Sequence, residues 1–176
     1  MPNPGIEFEH RFAASAKAPN RYVLKLNTPP PPPAPGQGRA RFTPRQPFDY
    51  LLSCAAPVPG SRVDFALELK STDGSRLPHC NVNRTAGLSK AGAAGLHAGL
   101  IVEYRNLKPP ADGNIVVFVP IGTWNTHLAQ STEKSLSFMV ACYIGRVIYQ
   151  EHGALNIDAF VEAFGAAPAF GKRGAR

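Results

Sequence analysis

Residues 63–70, Val63-Asp64-Phe65-Ala66-Leu67-Glu68-Leu69-Lys70, alternate apolar and polar side chains, the two-residue period of a β-strand. Val63, Phe65, Leu67 and Leu69 share one face, and Asp64, Ala66, Glu68 and Lys70 share the other. At a rise of about 3.3 Å per residue, Glu68 and Lys70 stand about 6.6 Å apart on that second face. A second strand is predicted over 47–52, Pro47-Phe48-Asp49-Tyr50-Leu51-Leu52, and the turn-rich run Ala55-Ala56-Pro57-Val58-Pro59-Gly60-Ser61 joins the two. A hairpin of this kind brings Asp49 beside Glu68, so that two carboxylates and a lysine converge.

The rest of the chain supplies elements around that hairpin. Asn3-Pro4 reads as an N-cap and first-turn proline opening a helix through about residue 17, with Phe8, Phe12, Ala13 and Ala16 as its buried stripe. Glu9 flanks the stripe and, taken alone, reads as a solvated first-turn acid favoured by the helix dipole. Residues 22–27 alternate as a first strand. The proline run of 28–35 and Gly36-Gln37-Gly38 then exclude helix and central strand, and predict a stiff polyproline stalk with a glycine turn at its tip. Arg39, Arg41 and Arg45 lie on its return leg. A turn is expected over 71–75, a helix over about 83–96 anchored by Leu88 and Leu96, strands over 99–104 and 114–119, and helices near 135–150 and 157–164. Four glycines (Gly87, Gly92, Gly95, Gly99) blur the limits of the 83–96 helix. The order α-β-β-β-α-β-β-α implies an α/β fold, an α+β sandwich with a mixed central sheet flanked by helices. One domain is expected over 1–171, with 28–45 as an inserted stalk and 172–176 as a basic tail.

Charge narrows the choice of partner. The formal net charge of +7 is uneven: residues 1–48 hold seven basic side chains against two acidic ones, and Lys172, Arg173 and Arg176 add to the excess. A polyanion such as nucleic acid suits that distribution, although a basic tail also serves solubility. Cys54, Cys80 and Cys142 are odd in number and unpaired by spacing, which favours a reducing compartment over a disulfide framework. His79-Cys80 has no second pair to complete a zinc site. The longest apolar stretch, 136–149, is short for a bilayer span and contains Arg146, so a soluble, cytoplasmic protein is expected.

Cleavage of a phosphodiester calls for a divalent ion that neutralises charge on phosphate and makes water a better nucleophile. Mg²⁺, with Mn²⁺ as the alternative, takes hard oxygen ligands. Asp49, Glu68 and the backbone carbonyl of Leu69 can supply three. Lys70 is then placed to orient or help deprotonate the water, or to stabilise the developing phosphate charge. An E-x-K on an alternating strand is common, however, and alone reads as a solvated strand face with a weak ion pair.

Several features in sequence order point further. Asp, a turn, E-x-K on a strand, an Ala-rich helix and another strand resemble the PD-(D/E)xK nuclease core, and within it the RecU-type Holliday-junction resolvases over nearly the entire length. The resemblance is carried by Gly5-x-x-Phe8-Glu9, Leu26-Asn27-Thr28-Pro29, Arg45-Gln46-Pro47-Phe48-Asp49-Tyr50, Phe65-x-x-Glu68-Leu69-Lys70-Ser71-Thr72, Leu77-Pro78, Asn81-Val82, Ala98-Gly99-Leu100-Ile101, Ser135-Leu136-Ser137 and Ile157-Asp158. It implies a restriction-endonuclease-like fold and a homodimeric, Mg²⁺-dependent endonuclease that nicks four-way DNA junctions in pairs, in a bacterial or phage-infected cell. No nucleotide cofactor or membrane partner is implied. The resemblance makes Asp49, Glu68 and Lys70 catalytic, raises Glu9 to a site residue, and sends the stalk with Arg39, Arg41 and Arg45 into the junction, with Arg84 as a candidate phosphate contact. This chain departs from the family in having Phe48 where threonine is usual, a shorter and more proline-rich stalk, and no counterpart to the glutamine after E-x-K. The alternatives are a restriction-like or nicking nuclease acting on ordinary duplex, and a non-catalytic DNA-binding or polyproline-presenting adaptor.

Overall fold

Asn3 caps the first helix as its place before Pro4 predicts: its side chain accepts a hydrogen bond from the Gly5 amide at 3.0 Å. The computed structural model describes residues 3–26, 46–82, 85–108 and 113–165. Helix α1 (Pro4–Ala16) is followed by β1 (Arg21–Lys25), β2 (Tyr50–Ala55), β3 (Arg62–Asp73) and the short β4 (Arg76–Pro78). After a 3₁₀ turn at His79–Asn81 come α2 (Thr85–Ala93), β5 (His97–Leu107), β6 (Gly113–Pro120) and α3 (Ile121–Gln130). The described chain closes with β7 (Ser135–Ser137), α4 (Phe138–Ile144), β8 (Arg146–Ile148), β9 (Gln150–Glu151), β10 (Ala154–Leu155) and α5 (Ile157–Glu162).

Six strands form one sheet in the order β1-β2-β3-β5-β6-β8. Strands β3 and β5 are parallel, and each other neighbouring pair in this sheet is antiparallel. The parallel pair needs a crossover, and α2 lies on it. The chain is thus a mixed α/β sandwich, a central mixed sheet flanked by helices on both faces. One face of the sheet (Tyr50, Leu52, Phe65, Leu67, Ile101, Phe118) packs with Phe8 and Phe12 of α1 and Phe160 and Val161 of α5. The other face (Ala66, Leu100, Val102, Val117, Val119) packs with Leu88 of α2 and Ile121 and Trp124 of α3.

Several expectations need correcting. The strand expected over 47–52 begins at Tyr50 and runs to Ala55, so Asp49 sits just before it. Strand β3 does not turn at residue 71: Ser71, Thr72 and Asp73 continue the parallel ladder with Glu103, Tyr104 and Arg105. The turn shrinks to Gly74-Ser75, with Gly74 at φ 76°. Helix α3 was not anticipated. The single helix expected over 135–150 is instead β7, α4 and β8: Gly145 is the extended C-cap of α4, its missing Cβ (which would stand 2.4 Å from the Phe118 carbonyl oxygen) lets the chain pass close to β6, and Val147 then pairs opposite Val117. The proline-rich stalk of 28–45 and the basic tail of 172–176 lie outside the described residues.

Candidate active site

Strand pairing decides where Asp49 goes. Tyr50 faces Leu67 in the antiparallel register, so the preceding residue of one strand meets the following residue of the other, Asp49 opposite Glu68. Residues opposed in this way project from the same face. The backbone of Asp49 is tied on both sides, its amide donating to the Leu67 carbonyl at 3.0 Å and its carbonyl accepting from the Leu26 amide at 2.8 Å. Its carboxylate is tied as well: Oδ2 accepts from the Leu69 amide at 3.1 Å. The amide and carbonyl of one residue in an antiparallel pair turn toward the same neighbour. The Leu69 carbonyl is therefore on the edge of β3 that meets Asp49.

Both carboxylates are withdrawn from solvent, Asp49 being 6% and Glu68 1% exposed. A solvated strand face is thus overturned for Glu68, because the polar side of β3 lies beneath α2. Helix α2 comes this close through Gly87, where an added Cβ would lie 2.1 Å from the Pro47 carbonyl oxygen. The glycine that weakened the helix signal is what lets the helix seat itself on the segment leading to Asp49. Lys70 Nζ is 2.8 Å from Glu68 Oε1, and its side chain keeps partial access to solvent. A buried carboxylate is tolerated when it is paired or coordinates a cation, and this one has an ammonium alongside.

Glu9 projects from α1 and is 2.5 Å from Lys25 Nζ, at the last residue of β1. Lys25 lies opposite Tyr50 in the β1–β2 register. The hydrogen bond that Lys25 donates to Glu9 raises the Lys25 pKa, burial opposes it, and the Tyr50, Glu9 and Asp49 charges raise it further. Lys25 therefore belongs to the electrostatic neighbourhood of Asp49. Its place was not evident from sequence, where a lysine ending a short strand looks like any edge cation. The informative signal was its parity with Arg21 and Val23, which directs it toward α1.

The other acids of the sheet are committed elsewhere. Asp64 accepts from Ser53 Oγ, which in turn accepts from Arg62 Nε at 2.6 Å. Glu103, 1% exposed on the opposite face, is held by Arg11 and by Ser71 Oγ at 2.9 Å. Among the described residues no group of three or more His, Cys, Asp and Glu side chains is arranged to hold a metal. An ion at Asp49 and Glu68 would therefore depend on two carboxylates and backbone or water oxygen. Those donors are hard, buried and gathered on one face, which fits Mg²⁺. Arg39, Arg41, Arg45 and Arg84 lie outside the described residues.

No protein-family model and no curated protein matches the sequence. The solved structures this chain is similar to include Hjc, a Holliday junction resolvase from the archaeal hyperthermophile Archaeoglobus fulgidus, at 17% identity and a TM-score of 0.40 over 80% of this chain and 89% of that one. Likeness at this level carries no argument about chemistry, and the site stands on its own geometry.

Proposed function

We propose that the chain is a divalent-metal-dependent endodeoxyribonuclease, acting on four-way DNA junctions as a homodimer. The observation that carries the reading is the opposition of two buried carboxylates, Asp49 and Glu68, with Lys70 on one of them and the Leu69 amide on the other. Asp49, Glu68 and the Leu69 carbonyl would hold Mg²⁺ or Mn²⁺, which when bound supplies charge neutralisation at phosphate and acidifies water.

The chain's own groups have separable roles. Burial of the carboxylates strengthens their attraction for a cation, because the surroundings screen less than water. The Leu69 amide keeps Asp49 from rotating out of place. Lys70, partly open to solvent, is placed at the boundary between the buried acids and incoming DNA, where its ammonium can hold a water or stabilise negative charge on the phosphate. Glu9, bridged to Lys25, serves as an outer acid that positions the lysine. The +7 charge supports a polyanionic substrate. Junction preference and dimerisation rest on the sequence resemblance.

The test is cleavage of a labelled four-way junction and a matched linear duplex, with and without Mg²⁺, by wild type and Lys70→Ala. Paired, Mg²⁺-dependent nicks on the junction are expected, with loss of about 10²- to 10⁴-fold in the variant. Equal cutting of both substrates leaves a duplex nuclease. No cutting under any divalent ion removes the enzymatic reading.

A further inference from the structure

Tyr22 and Leu24 are large apolar side chains left open, 55% and 37% exposed, on the face of the sheet that carries the two carboxylates. Register fixes that face: Tyr22 lies opposite Ser53 and Leu24 opposite Leu51, and the next residue of the same parity, Leu26, donates its amide to the Asp49 carbonyl. Helix α2 packs over β3 and β5 on this side, while β1 stands at the margin of the sheet. A fixed cation adjoins Tyr22. Arg62 donates from Nε to Ser53 Oγ at 2.6 Å and from Nη2 to the Ser53 carbonyl at 3.2 Å, yet is itself exposed. The Ser53 hydroxyl donates in turn to Asp64, so Asp64 holds the serine that orients the guanidinium. A guanidinium carries five N–H donors in a planar fork, and its two bonds to Ser53 leave donors to spare. Asp64 offsets part of the Arg62 charge, which makes this corner a directed hydrogen-bonding fork more than a broad positive field.

We propose that Tyr22 and Arg62 form a contact for an unpaired base and its phosphate, on the substrate side of the sheet and displaced from the phosphate to be cut. The proposal rests on the nuclease reading for its ligand, DNA. Tyr22 stands four residues from Leu26, the neighbour of Asp49, about 13 Å at strand rise. That is about four nucleotides at about 3.4 Å of duplex axis each. An aromatic ring open on a sheet is a stacking platform for any base whose face is free. Intact duplex hides those faces, whereas a branch point, a frayed end or a single strand shows them. The Arg62 fork suits the oxygens of a phosphate, and Leu24 offers apolar surface between platform and site. Two exposed apolar side chains fall far short of the roughly 1,000 Å² that a stable subunit interface buries, which favours a strand over a second copy as the occupant. The pair thus selects branched or single-stranded DNA over intact duplex and reads no sequence.

The experiment follows binding by the full chain without divalent metal, so that no cleavage intervenes. Fluorescence anisotropy is recorded over a range of salt with a labelled oligothymidine, a forked duplex and a linear duplex. The variants are Tyr22→Ala, Arg62→Gln and, as a control for loss of an exposed aromatic, Tyr149→Ala, which follows β8 at the other margin of the sheet and is 70% exposed. All three positions are exposed, so the variants should fold, as thermal midpoints will verify. Tyr22→Ala is expected to weaken oligothymidine and fork binding about fivefold or more and linear-duplex binding much less. Arg62→Gln should lower the slope of log Kd against log salt by about one. Tyr22→Trp should bind as wild type and lose fluorescence when oligothymidine is added, against the constant signal of Trp124, which is buried. Equal effects of Tyr22→Ala and Tyr149→Ala, or a Tyr22→Trp signal indifferent to oligothymidine, overturn the proposal. A Tyr22→Ala loss of the same size on all three DNAs overturns the assignment to an unpaired base. A dimer that Tyr22→Ala converts to monomer in sedimentation makes this face a subunit contact and overturns the strand assignment. Asp49-dependent cleavage without a Tyr22 effect refutes the platform alone, while a Tyr22 effect without cleavage under any ion refutes the nuclease reading alone.

Discussion

Gly87→Ala should damage the site without touching a charged group. The new Cβ would meet the Pro47 carbonyl oxygen at 2.1 Å, whereas ordinary van der Waals contact begins at 3.4 Å, so helix and segment must separate by about 1.3 Å. The obstacle is backbone on both sides, and no side chain can swing away to relieve it. Two residues beyond Pro47 is Asp49, whose carboxylate depends on a 3.1 Å bond to the Leu69 amide. A displacement of about 1 Å at a reacting group can cost about a hundredfold in rate, and that loss in kcat is expected with little change in DNA affinity. Overpacking should also destabilise the fold by about 1–3 kcal/mol. Alanine itself favours helix over glycine by about 1 kcal/mol, which would mask part of the effect. Gly92→Ala in the same helix supplies the correction, because its Cβ would meet the Ile121 Cγ2 at 3.4 Å, an ordinary contact. The two variants share the propensity gain, so the difference between their denaturation midpoints isolates the clash. Equal midpoints and wild-type turnover for Gly87→Ala would show that α2 does not seat Asp49 as argued.

Asp49→Asn keeps an oxygen for the Leu69 amide and should fold normally, but it removes a charge from the proposed ion site. Calorimetry should show wild type gaining about 2.7 kcal/mol when Mg²⁺ is a hundredfold above its Kd, and the variant gaining little. A similar gain in both would place any ion elsewhere. His79 has its pKa lowered by burial and by the neighbouring His127. As pH falls below the ordinary imidazole value near 6.5, the unfolded chain takes up a proton that the folded chain resists, so stability should decline on the acid side by at most about 1.4 kcal/mol per pH unit. His79→Gln should flatten that decline in urea titrations, and an unchanged slope would assign it to other groups. Burial raises the Cys54 thiol to about 11, so Cys54 should resist a thiol reagent at pH 8 while exposed Cys80 reacts. Rapid modification of Cys54 in the folded protein, located by mass spectrometry, would contradict its burial.

The hairpin and the identity of its charged groups were legible because strand alternation and turn residues are local signals. Alternation could not say that Glu68 is buried, since a helix distant in sequence covers the polar side of β3. Helix α3 was missed because Ile121-Gly122-Thr123-Trp124-Asn125-Thr126 has weak helical propensity and follows the proline that closes β6. Its apolar anchors, Ile121 and Trp124, are three apart and give a faint periodic signal. In 135–150 the error ran the other way. An apolar run suggested one long helix, but Gly145 is crowded by the Phe118 backbone and the residues after it are drawn into an edge strand. The Glu9–Lys25 bridge was hidden because it depends on how α1 lies across β1, which neither segment encodes alone.

The hydrogen bond between the Leu69 amide and Asp49 has a consequence for folding fidelity. The peptide that steadies one acid directly follows the residue bearing the other, so the two cannot be misplaced independently. If β2 slipped by one residue against β3, Asp49 would lose that amide and its side chain would turn to the opposite layer, while much apolar surface could still collapse. Such a compact but misaligned chain would no longer gather the two carboxylates on one face, so on the proposed reading metal affinity would report whether the hairpin has zipped correctly.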